Sequence, residues 1–472
     1  MDWLPDGHLA YFLLEVVSEL DLSGVEAAIQ AKDPRGERPY SPRMMTSLLL
    51  YAYATGTFSS RRIERATYED VAFRVLAAGA HPHWTTINTF RLQHHEALSA
   101  LFLQVLRLCA RAGLKTLGHV ALDGTKVPAN ASKHKAMSHG RMKEEERRLS
   151  KEIAELMRKA QDVDAREDQE HGVSQRGDEL PAELQRRESR LQRIREAKAA
   201  LEEEAKEARA ADLRDRAEEL RGKLDDRTLS QREKATAATL AKKAERRAQK
   251  LSPKGPDDDD NEGGGAATAL PEHRVANTAD GAPQDKAQRN FTDPDSRIMV
   301  RNGVFLQAFN AQAAASEDQI IVAHGLTNDP TDARHLRPML ERIAASCGAL
   351  PKVLSADTGY LSDGNFTACA KRGVDAYIAT HKSDAARFES IPSTPALLTR
   401  WSMYNKVSSP RGKRIYALRK TLIEPVFGQI KAAMGFRRFS LRGLGKAASE
   451  WGIVCLCHNL LKLFRRRTLA TA

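Results

Sequence analysis

Three carboxylates lie in sequence contexts that suit metal-ion chemistry. Asp123 follows the largely apolar run 119–122, and Asp357 follows a second such run, 353–356. Glu424 lies in a third apolar stretch, inside the most basic part of the chain. Carboxylates at the ends of neighbouring strands, joined by one from a helix, supply the hard oxygen ligands that divalent cations prefer. Such a group can hold two metal ions about 4 Å apart, an arrangement that cuts and joins phosphodiesters.

Magnesium is the cofactor that these residues predict, because it binds carboxylate and water oxygens rather than His or Cys. We expect two Mg²⁺ ions on Asp123, Asp357 and Glu424, with Mn²⁺ able to replace them. Gly124 permits a tight backbone path beside the first carboxylate. Taken singly, each Asp is typical of an ordinary strand end or turn, so the prediction depends on their joint position in the fold.

The positive charge of the chain is concentrated near its end. The formal net charge is +12, and residues 401–472 alone carry 15 Lys and Arg against two acids, a net of +13. A basic surface of this kind attracts polyanions, of which nucleic acid is the commonest. We expect Arg437, Arg438 and Arg442 to contact phosphates, with binding that weakens steeply as salt rises. The alternative interpretation is a basic tail that keeps the chain soluble.

Periodicity and composition divide the 472 residues into separate parts. Residues 1–115 have apolar residues at helical spacing and predict a helical N-terminal domain. A helix-turn-helix near 85–91 would suit DNA-end binding, and packing on the core for assembly is the alternative. Residues 116–132 and 288–445 predict the catalytic core, and 446–472 a C-terminal helix with a basic tail.

The middle of the chain has a different character. Residues 133–251 are rich in Glu, Lys, Arg and Ala, with one narrow apolar stripe, which predicts a charged helical insertion resembling a coiled-coil hairpin. Pro181 marks a break between its helices. Residues 252–287 contain four consecutive Asp at 257–260 and three Gly at 263–265, a composition typical of a flexible linker.

The predicted core elements follow a defined order. A strand at 117–127 precedes the insertion, and strands at 304–312 and 319–326 come after it. A helix at 332–347, a strand at 352–356, a helix at 366–372, a strand at 376–379 and a basic helix at 416–434 follow. Strands that later alternate with helices predict an α/β fold with a mixed sheet. This is the order of a ribonuclease H-like core.

The C-terminal motif carries a family resemblance. Residues 416–431 have the form Tyr-x-x-Arg-Lys-x-x-x-Glu-x6-Lys, followed by Gly-Phe-Arg-Arg-Phe at 435–439. Together with Asp-Gly-Thr-Lys at 123–126, the block 288–297 and Ala-Asp-Thr-Gly-Tyr at 356–360, it resembles the DDE transposases of bacterial insertion sequences. The likeness is to the group with a Tyr-Arg-Glu-Lys signature. The insertion after the first strand departs from many of these relatives, which carry one before the Glu helix.

The resemblance implies residue roles. Asp123, Asp357 and Glu424 would be the metal-binding catalytic triad. A second set would hold phosphates of the transposon end near the scissile bond: Tyr416, Arg419 or Lys420, and Lys431. The signature usually has three residues between Arg and Glu, whereas four follow Arg419 and three follow Lys420, so both are candidates. Lys431 lies seven residues after Glu424, a spacing that predicts one shared helix face.

The sequence therefore predicts a DNA transposase that cuts at terminal inverted repeats and transfers 3′-hydroxyl ends to target DNA by metal-dependent transesterification. Its expected partners are the double-stranded DNA of the transposon ends and target, and by family analogy a second copy of the chain. One alternative is a non-catalytic DNA-binding protein derived from a transposase. Another is an assembly protein built around the insertion.

The expected location is the bacterial cytoplasm, in association with the nucleoid. The N-terminus lacks the basic start and apolar core of a signal peptide, and no apolar run is long enough to span a membrane. Five scattered cysteines suit a reducing compartment better than a disulfide framework.

Overall fold

The chain forms two compact units in its computed structural model. The described residues are 3–30, 39–114, 116–171, 182–222, 224, 230–252, 269–388, 390–392 and 395–471. The first unit comprises the described parts of 1–131, 265–272 and 298–472, and the second those of 132–264 and 273–297. No helix within these described ranges combines the length and apolarity needed to cross a membrane.

The first unit begins with the helices predicted for the N-terminal region. Apolar residues at helical spacing run over 60–76 and over 87–109, and the structure divides each of these stretches into two helices. The first division follows from Asp70, whose carboxylate accepts hydrogen bonds from the backbone N–H groups of Ala72 (2.8 Å) and Phe73 (3.3 Å) and so starts a new helix. The helices are α1 (Leu9–Glu19), α2 (Ser23–Gln30), α3 (Pro42–Ala54), α4 (Ser60–Glu69), α5 (Val71–Leu76), α6 (Trp84–Gln93) and α7 (His95–Arg111).

Strands in the described residues form one six-stranded sheet and one small ribbon. They are β1 (His119–Pro128), β2 (Ala136–Ser138), β3 (Gln288–Asn290), β4 (Arg297–Arg301), β5 (Val304–Ala315), β6 (Ile321–Thr327), β7 (Val353–Ala356) and β8 (Asp375–Ile378). In the large sheet the order is β4-β5-β1-β7-β8, and β6 also pairs with β5. Strand β5 is antiparallel to β1 and β6, whereas β7 and β8 run parallel to β1. This mixed sheet confirms the predicted α/β fold class and is consistent with a ribonuclease H-like core.

The register of β1 and β7 positions two of the predicted site residues. Leu122 pairs with Ala356 at the last step of this parallel ladder. Asp123 is the next residue on β1, which continues to Pro128, and Asp357 directly follows β7. Because the parallel ladder ends with Leu122 beside Ala356, the two aspartates lie side by side where that ladder ends.

Helices accompany and close this sheet. They are α11 (Leu336–Cys347), α12 (Asp363–Lys371), α13 (Asp384–Arg387), α14 (Pro395–Ser408), α15 (Pro410–Leu422), α16 (Glu424–Gly428) and α17 (Leu444–Thr471). The single helix expected at 416–434 is wrong in detail, because α15 ends at Leu422 and a π-helical turn, Gln429–Ala433, follows α16. Pro425 explains the break: it has no N–H for the carbonyl of Thr421, which instead accepts from Gln319 Nε2 at 2.8 Å.

The second unit is the helical insertion, with α8 (His139–His171), α9 (Ala182–Gly222) and α10 (Gln231–Leu251). Apolar residues of α8 and α9, among them Leu149 and Ile194, form one buried cluster, and a stripe of alanines joins α9 to α10. Ion pairs link α8 to α9, including Glu146 with Arg195 (3.0 Å) and Lys198 (2.9 Å). These contacts confirm the coiled-coil-like insertion after the first core strand. Pro181 lies outside the described residues.

The predicted linker 252–287 is described only at 252 and from residue 269 onward. Its Asp run at 257–260 and its Gly run at 263–265 lie outside the described residues. In the described part, Leu270 packs in the core of the first unit, and Val275 packs in the cluster between α8 and α9.

A buried carboxylate joins the N-terminal helices to α17. Glu450, fully buried, accepts hydrogen bonds from the Tyr53 hydroxyl (2.8 Å) and from the backbone N–H groups of Ser440 (2.9 Å) and Leu441 (3.1 Å). The next residue, Trp451, donates its indole N–H to the carbonyl of Gln312 at 3.0 Å. The start of α17 therefore fixes both the loop before it and the central strand β5.

Replacing Glu450 with Ala should lower the free energy of unfolding by about 2 to 5 kcal/mol, because several buried donors lose their acceptor at once. Urea denaturation would measure the change. Glu69→Ala removes a carboxylate from the exposed Arg65 ion pair and is the matched control, expected to leave the unfolding midpoint nearly unchanged. Equal midpoints for both variants would contradict a structural role for Glu450.

Candidate active site

Asp123 and Asp357 form the centre of the candidate site. Burial raises the pKa of Asp123 to about 6, since the opposing effect of Arg419 is incomplete and the charge of Asp357 adds to the rise. Burial, together with the charge of Asp332, also raises the pKa of Asp357. Two carboxylates in a partly desolvated edge repel each other when ionised, and a cation between them would relieve that repulsion. The pair therefore suits a divalent cation with a preference for oxygen ligands.

The backbone approaches this pair closely at Gly124 and Gly359. A Cβ atom at Gly124 would stand 2.7 Å from Asp332 Oδ1 and 2.9 Å from Asn310 Oδ1. One at Gly359 would stand 3.0 Å from Asp357 Oδ1 and 3.1 Å from Asp332 Oδ2. A Cβ atom at Gly124 would displace these polar side chains, and one at Gly359 would need its neighbours to move by a few tenths of an ångström, so glycine suits both positions for reasons of space rather than of φ angle.

Asp332 is a third carboxylate at the site, and the sequence analysis missed it. Its Oδ1 accepts hydrogen bonds from Asn310 Nδ2 and Gln312 Nε2, each at 2.7 Å, and Lys126 Nζ lies 3.5 Å away. The signal was two of the buried polar residues on the largely apolar strand β5, Asn310 and Gln312. Because buried amide side chains need hydrogen-bond partners, Asn310 and Gln312 implied a polar group facing this strand.

Helix α15 supplies the cation nearest to the pair. Arg419 donates from a terminal guanidinium nitrogen to Asp123 Oδ2 at 2.9 Å, and its guanidinium lies 5.9 Å from the ring centre of Tyr416. Lys420 is exposed. Of the two candidates for the signature cation, the structure thus places Arg419 at the carboxylates. Burial raises the pKa of Tyr416, so its hydroxyl stays protonated and can donate a hydrogen bond.

Lys431 reaches the same strand from the π-helical turn. Its ammonium donates to the hydroxyl of Thr125 and lies 5.5 Å from the ring centre of Phe427. Burial lowers the pKa of Lys431, and the nearby charge of Arg301 adds to this effect. The common face predicted for Glu424 and Lys431 assumes one regular α-helix, whereas a π-helical turn contains Lys431; Glu424 is exposed and Lys431 is half-buried. The i→i+5 bonding of the π turn winds the chain more loosely than the α-helix assumed from the spacing.

Glu424 is the first residue of α16. Within the described ranges, no group of three or more His, Cys, Asp or Glu side chains is arranged to hold a metal ion. The structure thus brings Asp123 and Asp357 together but does not assemble all three predicted carboxylates into one site. The triad remains a prediction.

Exposed arginines surround the end of β1. The loop before α17 is attached there, because Phe439 N–H donates to the carbonyl of Pro128 at 2.9 Å. Arg437 donates to the carbonyl of Lys431 at 3.2 Å, and Arg442 donates to that of Asn130 at 3.0 Å. Arg437, Arg438 and Arg442 are all exposed, so they present positive charge to solvent beside the carboxylate edge.

Two family models match the chain, one near each end. A model described as "Transposase domain (DUF772)" matches residues 1–93, and one described as "Transposase DDE domain" matches residues 381–464. No curated protein and no solved structure matched. The mixed sheet with its flanking helices is consistent with a ribonuclease H-like core. The two matches are typical of bacterial insertion-sequence transposases, which confirms the resemblance drawn from the motifs and supports a transposase function.

The two matched segments are in direct contact within the first unit. Tyr53, in the N-terminal match, donates its hydroxyl to Glu450, in the C-terminal match. The C-terminal match contains Glu424 as well as Arg419 and Lys431, whereas Asp123 and Asp357 lie outside both segments. The positions of the two Asp residues therefore come from the sheet register alone.

Replacing Arg419 with Gln should leave the Asp123 carboxylate without its cation and lower the free energy of unfolding by about 1 to 3 kcal/mol. Millimolar Mg²⁺ should then raise the melting temperature of the variant more than that of the wild type. The matched control is Lys420→Gln, which removes the same charge from the exposed neighbour. An identical Mg²⁺ response from Lys420→Gln and Arg419→Gln would contradict this role of Arg419.

Proposed function

We propose that the protein is a DNA transposase that cuts at the terminal inverted repeats of its insertion sequence and transfers the 3′-hydroxyl ends to target DNA. The observation that carries the proposal is the Asp123–Asp357 pair at one sheet edge, beneath the basic helix α15. The two transposase matches support the same assignment. The chain would act in the cytoplasm, on DNA of the nucleoid.

The divalent metal ions would be held by Asp123 and Asp357, with Glu424 as the third ligand. Two Mg²⁺ ions, or Mn²⁺ in their place, would activate the attacking oxygen and neutralise the leaving oxygen. The protein's contribution is to hold both Asp carboxylates where the parallel ladder of β1 and β7 ends. The Asp332 network keeps β1 and β5 in register around them, and the half-buried setting limits competition from water.

The basic residues would bind the sugar–phosphate backbone on either side of the scissile bond. Arg419 would release Asp123 and bind a phosphate instead. Tyr416 and Lys431 would bind the backbone of the same DNA strand. Lys420 and the arginines around the end of β1 would contact phosphates farther away. Contacts of this kind fix position and orientation but do not read sequence. Recognition of the terminal repeat is assigned to the N-terminal helices, and a homodimer would bring two ends together.

A non-catalytic DNA-binding protein derived from a transposase is the second candidate. Glu424 is exposed and is not assembled with the Asp pair, and this position favours the second candidate. The two candidates differ in one property, metal-dependent nicking, since both would bind DNA.

The deciding experiment uses an end-labelled duplex that carries the element's own terminal repeat, with Mg²⁺, Mn²⁺ or EDTA. The wild type should nick the 3′ end in either metal and not in EDTA. Asp123→Asn, Asp357→Asn and Glu424→Gln should each lower the cleavage rate by at least about a thousandfold, because each removes a ligand charge from the reaction centre. All three should bind the duplex about as well as the wild type.

Binding without cleavage in every metal, by wild type and variants alike, would reject catalysis and favour the second candidate. Cleavage by Glu424→Gln at the wild-type rate would remove Glu424 from the triad while leaving the two Asp residues in place.

DNA affinity should fall steeply with salt, since several phosphates are neutralised. Arg438→Ala should lower the slope of log affinity against log salt by about 1, as expected for the loss of one phosphate contact. Fluorescence anisotropy at a series of salt concentrations measures this slope. Lys242→Ala, an exposed cation on α10 of the insertion, is the control and should leave the slope unchanged. A slope unaltered in Arg438→Ala would remove that arginine from the DNA interface.

A further inference from the structure

The backbone holds the two aspartates of the candidate site in different ways. Asp123 lies within β1 and has a ladder partner on β5, Ala313. Asp357 follows the last residue of β7 and precedes a 3₁₀ turn, Thr358–Tyr360. The ladders of β7 with β1 and with β8 both end at Ala356. The position of the Asp357 side chain therefore depends on how the turn that follows it is attached to the sheet.

Local hydrogen bonds fix the shape of this turn. The carboxylate of Asp357 accepts from the backbone N–H of Gly359 at 2.9 Å, and its carbonyl accepts from the N–H of Tyr360 at 3.2 Å. The carbonyl of Tyr360 accepts in turn from Nδ2 of the buried Asn365 at 2.7 Å. These bonds determine the conformation of the turn, but none of them connects it to the strand that carries Asp123.

The side chain of Tyr360 makes that connection. Tyr360 is fully buried, and its hydroxyl donates to Gln312 Oε1 on β5. Gln312 is the ladder partner of Gly124, the residue after Asp123. One side-chain hydrogen bond thus joins the turn after Asp357 to the backbone position next to Asp123.

Asp332 determines the direction of this bond. Gln312 Nε2 donates to Asp332 Oδ1 at 2.7 Å. Because an ionised carboxylate only accepts hydrogen bonds, the amide directs its NH₂ group to Asp332 and its oxygen to Tyr360. Burial raises the pKa of Tyr360, and the charges of Asp332, Asp123 and Asp357 add to the rise. The hydroxyl of Tyr360 therefore stays protonated and acts as the donor.

Metal binding is sensitive to small changes in the separation of two ligands. Mg²⁺ demands near-ideal octahedral geometry, with oxygen ligands at about 2.0–2.1 Å. Groups that orient metal ligands from behind commonly change metal affinity by about 10- to 100-fold when they are mutated. A turn that holds Asp357 at a fixed distance from Asp123 would act in this way.

We propose that Tyr360 is a positioning residue that sets the separation of Asp357 from Asp123 through its hydrogen bond to Gln312. The inference rests on the proposed function, since it takes the Asp pair to be the metal site. Because Tyr360 is fully buried, it acts on Asp357 through the turn and not by contact with DNA.

The test is Mn²⁺ binding, measured by electron paramagnetic resonance on protein bound to duplex DNA. Tyr360→Phe removes the hydroxyl and keeps the ring, and it should weaken Mn²⁺ binding by about tenfold. The matched control is Tyr53→Phe, which removes another buried hydroxyl, the donor to Glu450 at 2.8 Å. This control should bind Mn²⁺ as the wild type does, although it also loses a buried hydrogen bond.

A double variant tests whether Tyr360 acts through Gln312. Gln312→Met keeps a side chain of similar length and removes the acceptor, so it should also weaken Mn²⁺ binding. Tyr360→Phe combined with Gln312→Met should bind Mn²⁺ no more weakly than Gln312→Met alone, because the same bond is already broken. Additive losses in the double variant would overturn the proposed connection.

Cleavage at high metal concentration gives a further readout. Saturating Mn²⁺ should restore cleavage by Tyr360→Phe to near the wild-type rate, since the displaced ligand is still present. The same concentration should not restore Asp357→Asn, which has lost the ligand charge. Failure of saturating Mn²⁺ to restore Tyr360→Phe would overturn a role in positioning alone.

The outcomes separate this inference from the proposed function. Wild-type Mn²⁺ affinity in Tyr360→Phe, with a lower melting temperature, would assign Tyr360 to stability only and leave the metal site standing. Equal weakening in Tyr53→Phe and Tyr360→Phe would attribute the effect to general destabilisation and overturn the inference. A wild-type protein that binds no Mn²⁺ would overturn the metal site and this inference together. Melting curves verify folding, and Gln312→Met provides the test if Tyr360→Phe does not fold.

Discussion

The parallel pairing of β1 with β7 is the constraint on which the candidate site depends. It ends at Leu122 and Ala356, so the next residue on each strand, Asp123 and Asp357, must come to the same edge of the sheet. Burial raises the pKa of both carboxyls; the charge of Asp357 adds to the rise at Asp123, and the charge of Asp332 adds to the rise at Asp357. An edge of this kind needs a cation, and Arg419 supplies one.

The surrounding polar groups hold that edge in place from two directions. Asp332 binds Asn310 and Gln312 of β5, while the Gln312 carbonyl accepts the indole N–H of Trp451 on α17. Glu450, the neighbour of Trp451, connects the same helix to the N-terminal helices. Because buried polar groups must be satisfied, these bonds specify one arrangement of strand, helix and loop. The charged insertion follows β1 in the sequence and forms an apolar cluster of its own.

The sequence predicted the succession of the main core strands and helices and the two aspartates that follow apolar runs, because runs of strand length precede these residues and helical patterns separate the later strands. It did not distinguish Arg419 from Lys420, since one residue along a helix changes the direction of a side chain by about 100°. The helical spacing continues across Pro425, but a proline lacks the N–H that a continuous helix needs there. Asp332 was missed because its partners, Asn310 and Gln312, are more than 15 residues away and meet it only once β5 is in register.

The metal site is tested most directly by manganese binding, measured by electron paramagnetic resonance on protein bound to duplex DNA. We predict that the wild type lowers the signal of free Mn²⁺, and that Asp357→Asn weakens this binding by about tenfold or more, since a carboxylate ligand is lost. Asp318→Asn, a change on the turn between β5 and β6, should bind as the wild type does. Equal Mn²⁺ binding by all three proteins, or none by the wild type, would contradict the claim that the Asp123–Asp357 edge is a metal site.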